Sequence, residues 1–328
     1  MRLRLPHTHE QSRVLPVLPD TPPENFPHQI EKRLNDAAGA PKYEVIDAGV
    51  GRYSLYQYYV KAKVEAVSLK PQQLLVALYA GNDFLDIVRE DDRPYLKLGR
   101  DGQVEAHAPH FVVYRDHSEK PGILEMSRIY SVGRAALGPT ILYQISRVKL
   151  LYLNLADEHH GLMEIAKYLK EVHDLDAISH GLMVQSLHQY VWFQRFPETL
   201  RTSLIFTRYT LEKLRELARQ NGIRLTCTII PTKPMVEPET LRAVFAEVTR
   251  HNPSFTADRL AAFENSLIDQ TLKMCRALDI EAIDLRPGIA AQRYGRSLYY
   301  PRDMHLNVAG NAVVADVIVK AWNVGGGQ

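Results

Sequence analysis

Residues 72–83 read QQLLVALYAGND, an apolar run that stops at a Gly-Asn-Asp turn. A short apolar run with a turn signal at its end is typical of a buried strand. Other predicted strands of this kind are KYEVIDAGV (42–50), IRLTCTIIP (223–231) and IEAIDL (280–285). Predicted helices separate them, at about 56–70, 210–222, 257–277 and 308–322. The alternation predicts a parallel sheet built from βαβ units, with helices on both faces.

Signals at the helix ends agree with this division of the chain. Ser54 and Gln57 have the spacing of a capping box, which satisfies free backbone N–H groups at a helix start. Gly222 is placed to end the helix that precedes the strand at 223–231. Residues 91–115 are predicted as hairpin or loop, and residues from about 122 to 200 as mostly helical and rich in aromatic side chains.

The composition is that of a globular protein. The chain has 328 residues, 45% hydrophobic and 24% charged, which is enough for one large domain or two ordinary ones. A formal net charge of +2 is too small to indicate nucleic-acid binding. Cys227 and Cys275 form neither a disulfide framework nor a CxxC metal site, and both are predicted to be buried as small hydrophobic residues.

Neither a signal peptide nor a membrane span is predicted. The first residues lack the apolar core of a secretory signal. No apolar stretch reaches the roughly 18 residues of a membrane span. The sequence as given therefore predicts a cytoplasmic protein, or an exported one if the true N-terminus is missing.

Polar side chains follow the predicted strands at the edge where parallel sheets bind ligands. The stretches are DAGVGRYS after the strand at 42–50, AGNDF after the next, and RDMHLN before the last helix. The Gly49 N–H and the Asn82 amide are placed to stabilise one oxyanion, which is the negative charge that develops in acyl transfer. His305 would move a proton while Asp303 holds its tautomer.

In these stretches the chain resembles the SGNH (GDSL-type) hydrolases, a flavodoxin-like α/β/α family of esterases, lipases and carbohydrate acyl-esterases. Gly49 matches the glycine of block II. Asn82 and Asp83 match block III (GxND), with Ala80 in place of its first glycine. Block V is usually DxxH, whereas here Arg302 stands three residues before His305 and Asp303 stands two before it.

The resemblance runs from about residue 20 to 325, with atypical material at about 86–200. It implies a three-layer α/β/α sandwich with a flavodoxin-like parallel sheet and a large, mostly helical insertion. Residues 21–328 would form a single domain, after an atypical segment at 1–20. It also implies Ser-His-Asp chemistry on a small-molecule, carbohydrate or lipid ester, without a metal or an organic cofactor. The oligomeric state is left open.

The sequence departs most from the family pattern at block I, which carries the nucleophile. The family nucleophile lies in a Gly-Asp-Ser turn after the first, central strand, and this chain has no such turn. Ser12 is the best formal candidate, but Glu10-Gln11 precedes it in place of Gly-Asp. RLRL (2–5) is short and ends at Pro6, so the first 20 residues are expected to supply neither a central strand nor a well-placed nucleophile.

Three explanations remain open for this departure. The first segment is an abnormal reading of the gene, the chain is a natural non-catalytic relative that keeps the pocket, or Ser12 or Thr8 serves as a degenerate nucleophile. The predicted function is therefore acyl-ester hydrolysis. The alternatives are a polysaccharide O-acetyltransferase and a binding or scaffold protein that retains the fold.

Other stretches of the sequence also contain residue types that are common in binding sites. HQYVWFQRF (188–196) is dense in aromatic residues and predicts either helix core or a wall over the crevice. DEHHG (157–161) and HTH (7–9) contain metal-ligating residue types, but neither has the HExxH spacing, which favours a solvated polar patch.

Overall fold

The computed structural model describes residues 2–5, 24–51, 53–89, 93–108, 189–190, 192–194, 196–237, 239, 256–293, 295–300 and 305–323. The strands are β1 (Arg2–Leu5), β2 (Glu44–Asp47), β3 (Gln73–Tyr79), β4 (Tyr95–Leu98), β5 (Val104–His107), β6 (Arg224–Ile230) and β7 (Glu281–Asp284). Within the described residues, five strands form one parallel sheet in the order β2-β1-β3-β6-β7, while β4 and β5 form a separate antiparallel hairpin.

Helices connect the strands of the parallel sheet. They are α1 (Phe26–Ala38), α2 (Leu55–Lys61), α3 (Asp83–Asp86), α4 (Pro197–Gln220), α5 (Lys233–Val236), α6 (Ala257–Ala277), α7 (Arg286–Gln292) and α8 (Val308–Asn323). The capping box at the start of α2 is confirmed, since the Ser54 N–H donates to Gln57 Oε1 at 2.8 Å. Gly222 follows the end of α4 with φ of +64°, which a residue without Cβ adopts at no steric cost.

Two apolar cores lie on opposite faces of the sheet. Along β3, Leu74, Val76 and Leu78 join a core that includes side chains of α2, α4 and α6. Leu75 and Ala77, which point the other way, join a core with side chains of α1, α7 and α8. The fold is therefore a three-layer α/β/α sandwich, and the strand order is the flavodoxin-like order that the family resemblance implied.

The expectation that the N-terminal segment supplies no central strand is wrong. Arg2–Leu5 lies between β2 and β3 and runs parallel to both, with Leu3 opposite Val45 on one side and Gln73 on the other. Pro6 follows the strand and does not interrupt it. The physical reason is that β2 and β3 would each leave a row of backbone groups unpaired without a segment between them. Four residues of backbone pair with all of β2 and with Gln73 and Leu74 of β3, without a long apolar run.

The region between β3 and α4 is described only in part. The predicted hairpin is found as β4 and β5, with Tyr95 opposite His107. Residues 109–188, the greater part of the predicted helical insertion, lie outside the described residues. Residues 189–190 and 192–194 are helical and precede α4. None of the described helices is long and apolar enough to cross a membrane.

Candidate functional site

The loop that carries Asn82 and the segment that carries His305 are both attached to the end of β6. After β3, the Ala80 N–H donates to the carbonyl oxygen of Ile230 at 3.0 Å. The buried Tyr299 hydroxyl donates to the carbonyl oxygen of the next residue, Pro231, at 2.6 Å. Two distant parts of the chain therefore meet at consecutive residues on the carboxyl edge of the sheet, where ligands bind in this class of fold.

His305 lies between α7 and α8, where residues 299–300 pair antiparallel with residues 305–306. The Tyr300 N–H donates to the His305 carbonyl oxygen at 3.0 Å, and Leu306 forms an antiparallel bridge with Tyr299. Lys233, at the start of α5, donates from Nζ to the Tyr300 carbonyl oxygen at 2.7 Å. The His305 side chain is half-buried. Asp303 lies outside the described residues, so its pairing with His305 stays a prediction.

The start of α8 ties this segment to the region after the predicted nucleophile loop. Asn311 is buried and accepts from the Phe26 N–H through Oδ1 at 3.1 Å. Its Nδ2 donates to the carbonyl oxygen of Leu306 at 3.1 Å. One side chain, that of Asn311, therefore bonds both the start of α1 and the segment that carries His305.

Asn82 occupies the first position before α3 and is oriented by a carboxylate. Its Nδ2 donates to Asp86 Oδ2 at 2.7 Å, and Asp86 Oδ1 pairs with Arg89 Nη1 at 2.7 Å. Because an ionised carboxylate only accepts hydrogen bonds, the amide nitrogen of Asn82 must face Asp86. The second hydrogen of this nitrogen is available to another acceptor, such as an oxyanion.

Asp83 stabilises the same loop through hydrogen bonds to its buried side chain. It is buried and accepts at Oδ2 from the Tyr79 N–H at 2.9 Å and from the Tyr58 hydroxyl at 3.1 Å. Burial raises the pKa of Asp83 well above its usual range, although the hydrogen bond from Tyr79 opposes this effect. Its contacts are with the protein, so its role is to fix the turn between β3 and α3.

Gly49 lies after β2, as expected, and its N–H is already engaged. It donates to Asp47 Oδ1 at 2.9 Å. The other Asp47 oxygen accepts from Asn25 Nδ2 at 3.0 Å, and Asn25 Oδ1 lies 2.7 Å from His28 Nδ1. Burial raises the pKa of Asp47, against the lowering effect of the bond from Gly49. A backbone amide has one hydrogen, so Gly49 can serve an oxyanion only after Asp47 releases it.

Sequence reasoning missed a buried acid at the end of β6. Glu264, on α6, is fully buried and accepts from the Thr232 hydroxyl at Oε2. Its Oε1 has no hydrogen-bond partner among the described residues. Burial raises the pKa of Glu264 to about 8, against the opposing bond from Thr232. Burial raises the pKa of the nearby Tyr299 well above its usual range. The charges of Tyr79, Glu237 and Glu264 raise it further.

A signal for Glu264 was present in the sequence. The apolar stripe of α6 runs through Leu260, Leu267 and Ile268, which are all buried. Glu264 falls on that stripe at helical spacing, where a charged residue is rarely found unless it is paired.

The aromatic residues before α4 pack against α3, which follows Asn82. Phe193 packs with Phe84, Leu85 and Leu267 in a small buried cluster. Trp192 lines a cavity of about 570 Å³ between α3 and the start of α4, together with Arg89. Volumes of this size are usual for small-molecule sites.

Several predicted residues fall outside the described part of the chain. They are Thr8, Ser12, Asp303 and the histidine-containing stretches 7–9 and 157–161. Among the described residues, no group of three or more His, Cys, Asp and Glu side chains is arranged to hold a metal ion.

Residues 201–325 match the family model described as "SGNH hydrolase-like domain, acetyltransferase AlgX". The resemblance to the SGNH hydrolases is confirmed. The match begins in α4 and includes β6, β7, α8 and His305, whereas the loops with Gly49 and Asn82 precede it. The SGNH resemblance of those two loops rests on their own sequence and on the strand order.

Two solved structures are distantly similar to the chain over nearly its whole length. An acetyl xylan esterase, AlAXEase, is 11% identical with a TM-score of 0.42, over 98% of this chain and 99% of that one. LAE5, an alpha/beta hydrolase from the metagenome of Lake Arreo, Spain, is 9% identical with a TM-score of 0.44, over 98% and 94% of the two chains. The sequence matches no curated protein.

Proposed function

We propose that this chain is an SGNH-type acyl-ester hydrolase, with His305 as its general base and Asn82 as a side-chain donor to the oxyanion. One observation carries the proposal: the Asn82 loop is bonded at Ile230 and the His305 segment at Pro231. Asp303 completes the proposal as the carboxylate that orients His305 and stabilises its charged form.

The chemistry follows from these groups. His305 takes the proton of a hydroxyl nucleophile as its oxygen attacks the ester carbonyl, and the carbonyl oxygen becomes an oxyanion. The second N–H of Asn82 stabilises that charge, while Asp86 keeps the amide fixed and so reduces reorganisation. His305 then gives its proton to the leaving alcohol, which leaves an acyl-enzyme. Water, deprotonated by His305, attacks the acyl-enzyme in the same way, and the acid and the free hydroxyl are released. Gly49 adds a second donor once its N–H leaves Asp47.

The nucleophile of this proposal is Ser12, with Thr8 as the alternative. Because β1 is parallel to β2 and Leu5 pairs with Asp47, the chain beyond Leu5 starts at the carboxyl edge of the sheet. This supports a hydroxyl from the following residues. The Gly-Asp-Ser turn is missing, however, so we expect slow turnover of simple esters.

The test is hydrolysis of p-nitrophenyl acetate. We expect turnover that falls to background in His305→Ala and Ser12→Ala, and by about 100- to 1000-fold in Asn82→Ala. His107→Ala is the matched control, since His107 lies on the β4–β5 hairpin. The proposal fails if the folded chain shows no turnover, or if turnover survives in His305→Ala. If turnover survives in Ser12→Ala but is lost in Thr8→Val, the nucleophile is Thr8 and the rest of the proposal stands.

A second candidate function is O-acetyl transfer to a carbohydrate hydroxyl. The observation that favours it is the acetyltransferase in the description of the family model over residues 201–325. The cavity beside Trp192 would offer room for an acceptor next to the Asn82 loop. Incubation with an acetyl donor and a soluble polysaccharide separates the two functions. Mass spectrometry would find acetylated sugar for a transferase, and free acetate alone for an esterase.

A further inference from the structure

Gln189 joins the region before α4 to both sides of the Asn82 loop. It is buried, with 1% of its surface exposed. Its Nε2 donates to the Ala80 carbonyl oxygen at 2.8 Å, and its Oε1 accepts from the Leu85 N–H at 3.0 Å. One side chain therefore spans the loop from the end of β3 to the first turn of α3, and Asn82 lies between its two attachment points.

The orientation of this amide is fixed by chemistry. A backbone carbonyl oxygen can only accept and a backbone N–H can only donate. The Gln189 nitrogen must therefore face Ala80 and its oxygen must face Leu85. A reversed amide would place two acceptors together at one end and two donors at the other.

The bond to Leu85 is the bond that a helix-capping side chain normally makes. Asparagine immediately before a helix usually accepts from the second or third N–H of the helix through its own side-chain oxygen. Asn82 has this position before α3, yet its side chain makes no capping bond. Leu85 supplies the third N–H of α3, and that N–H is shared between the Asn82 carbonyl oxygen at 3.0 Å and Gln189 Oε1.

The Asn82 side chain is thereby directed elsewhere. Its Nδ2 donates to Asp86 at 2.7 Å, with backbone angles of φ −148° and ψ −19°. If Oδ1 of Asn82 rotated to accept from Leu85, the amide nitrogen would turn away from Asp86. In the structure the Leu85 N–H is bonded to Gln189 Oε1, and the Asn82 amide nitrogen is bonded to Asp86.

Gln189 itself is held firmly enough to perform this role. Phe193, one turn further on, is buried against Phe84 and Leu267. Tyr190 packs edge-on against Phe263 of α6, with ring centroids 5.3 Å apart. Two aromatic residues that follow Gln189 within one helical turn are therefore packed into the protein.

We propose that Gln189 is a positioning residue that caps α3 in place of Asn82, and so frees the Asn82 amide for the oxyanion. This inference rests on the proposed function for its catalytic consequence. Its structural part, that Gln189 determines the orientation of Asn82, stands on the hydrogen bonds alone.

The test compares Gln189→Met with Ser203→Ala. Methionine keeps the length of the side chain and removes both hydrogen bonds. Ser203, on α4, is also buried and donates to the Phe84 carbonyl oxygen, so its alanine variant removes a buried bond to α3 without affecting the Leu85 N–H. Side-chain amide NMR of Asn82 reports its orientation, and p-nitrophenyl acetate kinetics report the consequence.

We expect the Asn82 side-chain resonances to shift in Gln189→Met and to stay in place in Ser203→Ala. We also expect kcat to fall about 10- to 100-fold in Gln189→Met, as for a displaced catalytic group, with a smaller change in KM. The double variant Asn82→Ala with Gln189→Met should be no slower than Asn82→Ala alone, because both remove the same contribution.

Two results would overturn the proposal. Asn82 resonances in Gln189→Met identical to those of the wild type would show that Gln189 does not orient Asn82. Equal effects of Gln189→Met and Ser203→Ala on both readouts would show a contribution to stability only. If the wild-type chain has no esterase turnover, the proposed function fails, and the NMR comparison alone still decides the role of Gln189.

Discussion

Among single residues, Glu264 couples the stability of the fold to pH. Its folded pKa of about 8 lies above the ordinary value of 4.5, so the folded protein keeps a proton that the unfolded chain has lost. The stabilising effect is complete below the unfolded pKa and is lost as pH rises through the folded pKa. The cause of the raised pKa is burial, which outweighs the opposing hydrogen bond from Thr232.

The free energy of unfolding should therefore fall as pH rises from 6 to 8, by at most about 1.4 kcal/mol per pH unit. Glu264→Gln, which cannot ionise, should show a shallower dependence in urea unfolding curves. Glu281→Gln is a suitable control, because Glu281 also accepts from a threonine, Thr226, but at a partly buried site. Parallel pH profiles for wild type and Glu264→Gln would contradict the assignment.

At the scale of elements, the packing of α8 on the Tyr299 segment sets the place of His305. Gly310, on the first turn of α8, faces the carbonyl oxygen of Leu298, and a Cβ there would lie 2.1 Å from that oxygen. The Gly310 N–H donates to Asn307 Oδ1 at 2.9 Å. The close approach brings α8 against the segment, and His305 lies in the connection between them.

We expect Gly310→Ala to lower the free energy of unfolding by about 1–3 kcal/mol, as for other overpacked sites, and to displace His305. Ester turnover should then fall further than the folded fraction explains. In Gly288→Ala the added Cβ would meet Val317 Cγ2 at 2.3 Å, a side-chain contact between α7 and α8. This control should lose stability but keep its specific activity, as measured by urea unfolding and by turnover per folded molecule. Equal specific activities in both variants would argue against the link to His305.

For the whole molecule, the sheet was predictable wherever apolar runs mark buried strands. β3 and β6 are such runs, and the structure places them within a residue of the predicted bounds. β1 was not predictable, because Arg2–Leu5 is specified by the open edges of β2 and β3 rather than by its own composition. The same limit applies to the site. The proposed roles of Asn82 and His305 come from local motifs, whereas Gln189 bonds to Leu85 across 104 residues of sequence.

The buried thiols report on the opening of the whole fold. Cys227 on β6 and Cys275 on α6 are fully buried, as predicted, and lie in the same core. Their mutual hydrogen bond and burial raise the pKa of Cys227 well above its ordinary value. Native protein should therefore react with a disulfide reagent at pH 8 only as fast as it unfolds, while both thiols should react at once in urea. Rapid labelling of the native protein would contradict this packing.

A final prediction concerns β1, on which the continuity of the sheet depends. In a strand with neighbours on both sides, every backbone N–H faces one neighbour or the other, so proline removes a hydrogen bond wherever it is placed in the interior. Leu3 is paired with Val45 and with Gln73, whereas Arg2, the first residue of the strand, is paired with Glu44 of β2. We expect Leu3→Pro to cost about 3 kcal/mol or more of stability, and Arg2→Pro to cost clearly less, because proline is tolerated at the start of a strand. Thermal unfolding of the two variants measures the difference. Equal melting temperatures for Leu3→Pro and the wild type would show that residues 2–5 do not form the central strand, and the chain beyond Leu5 would then have no reason to start at the carboxyl edge near Asn82 and His305.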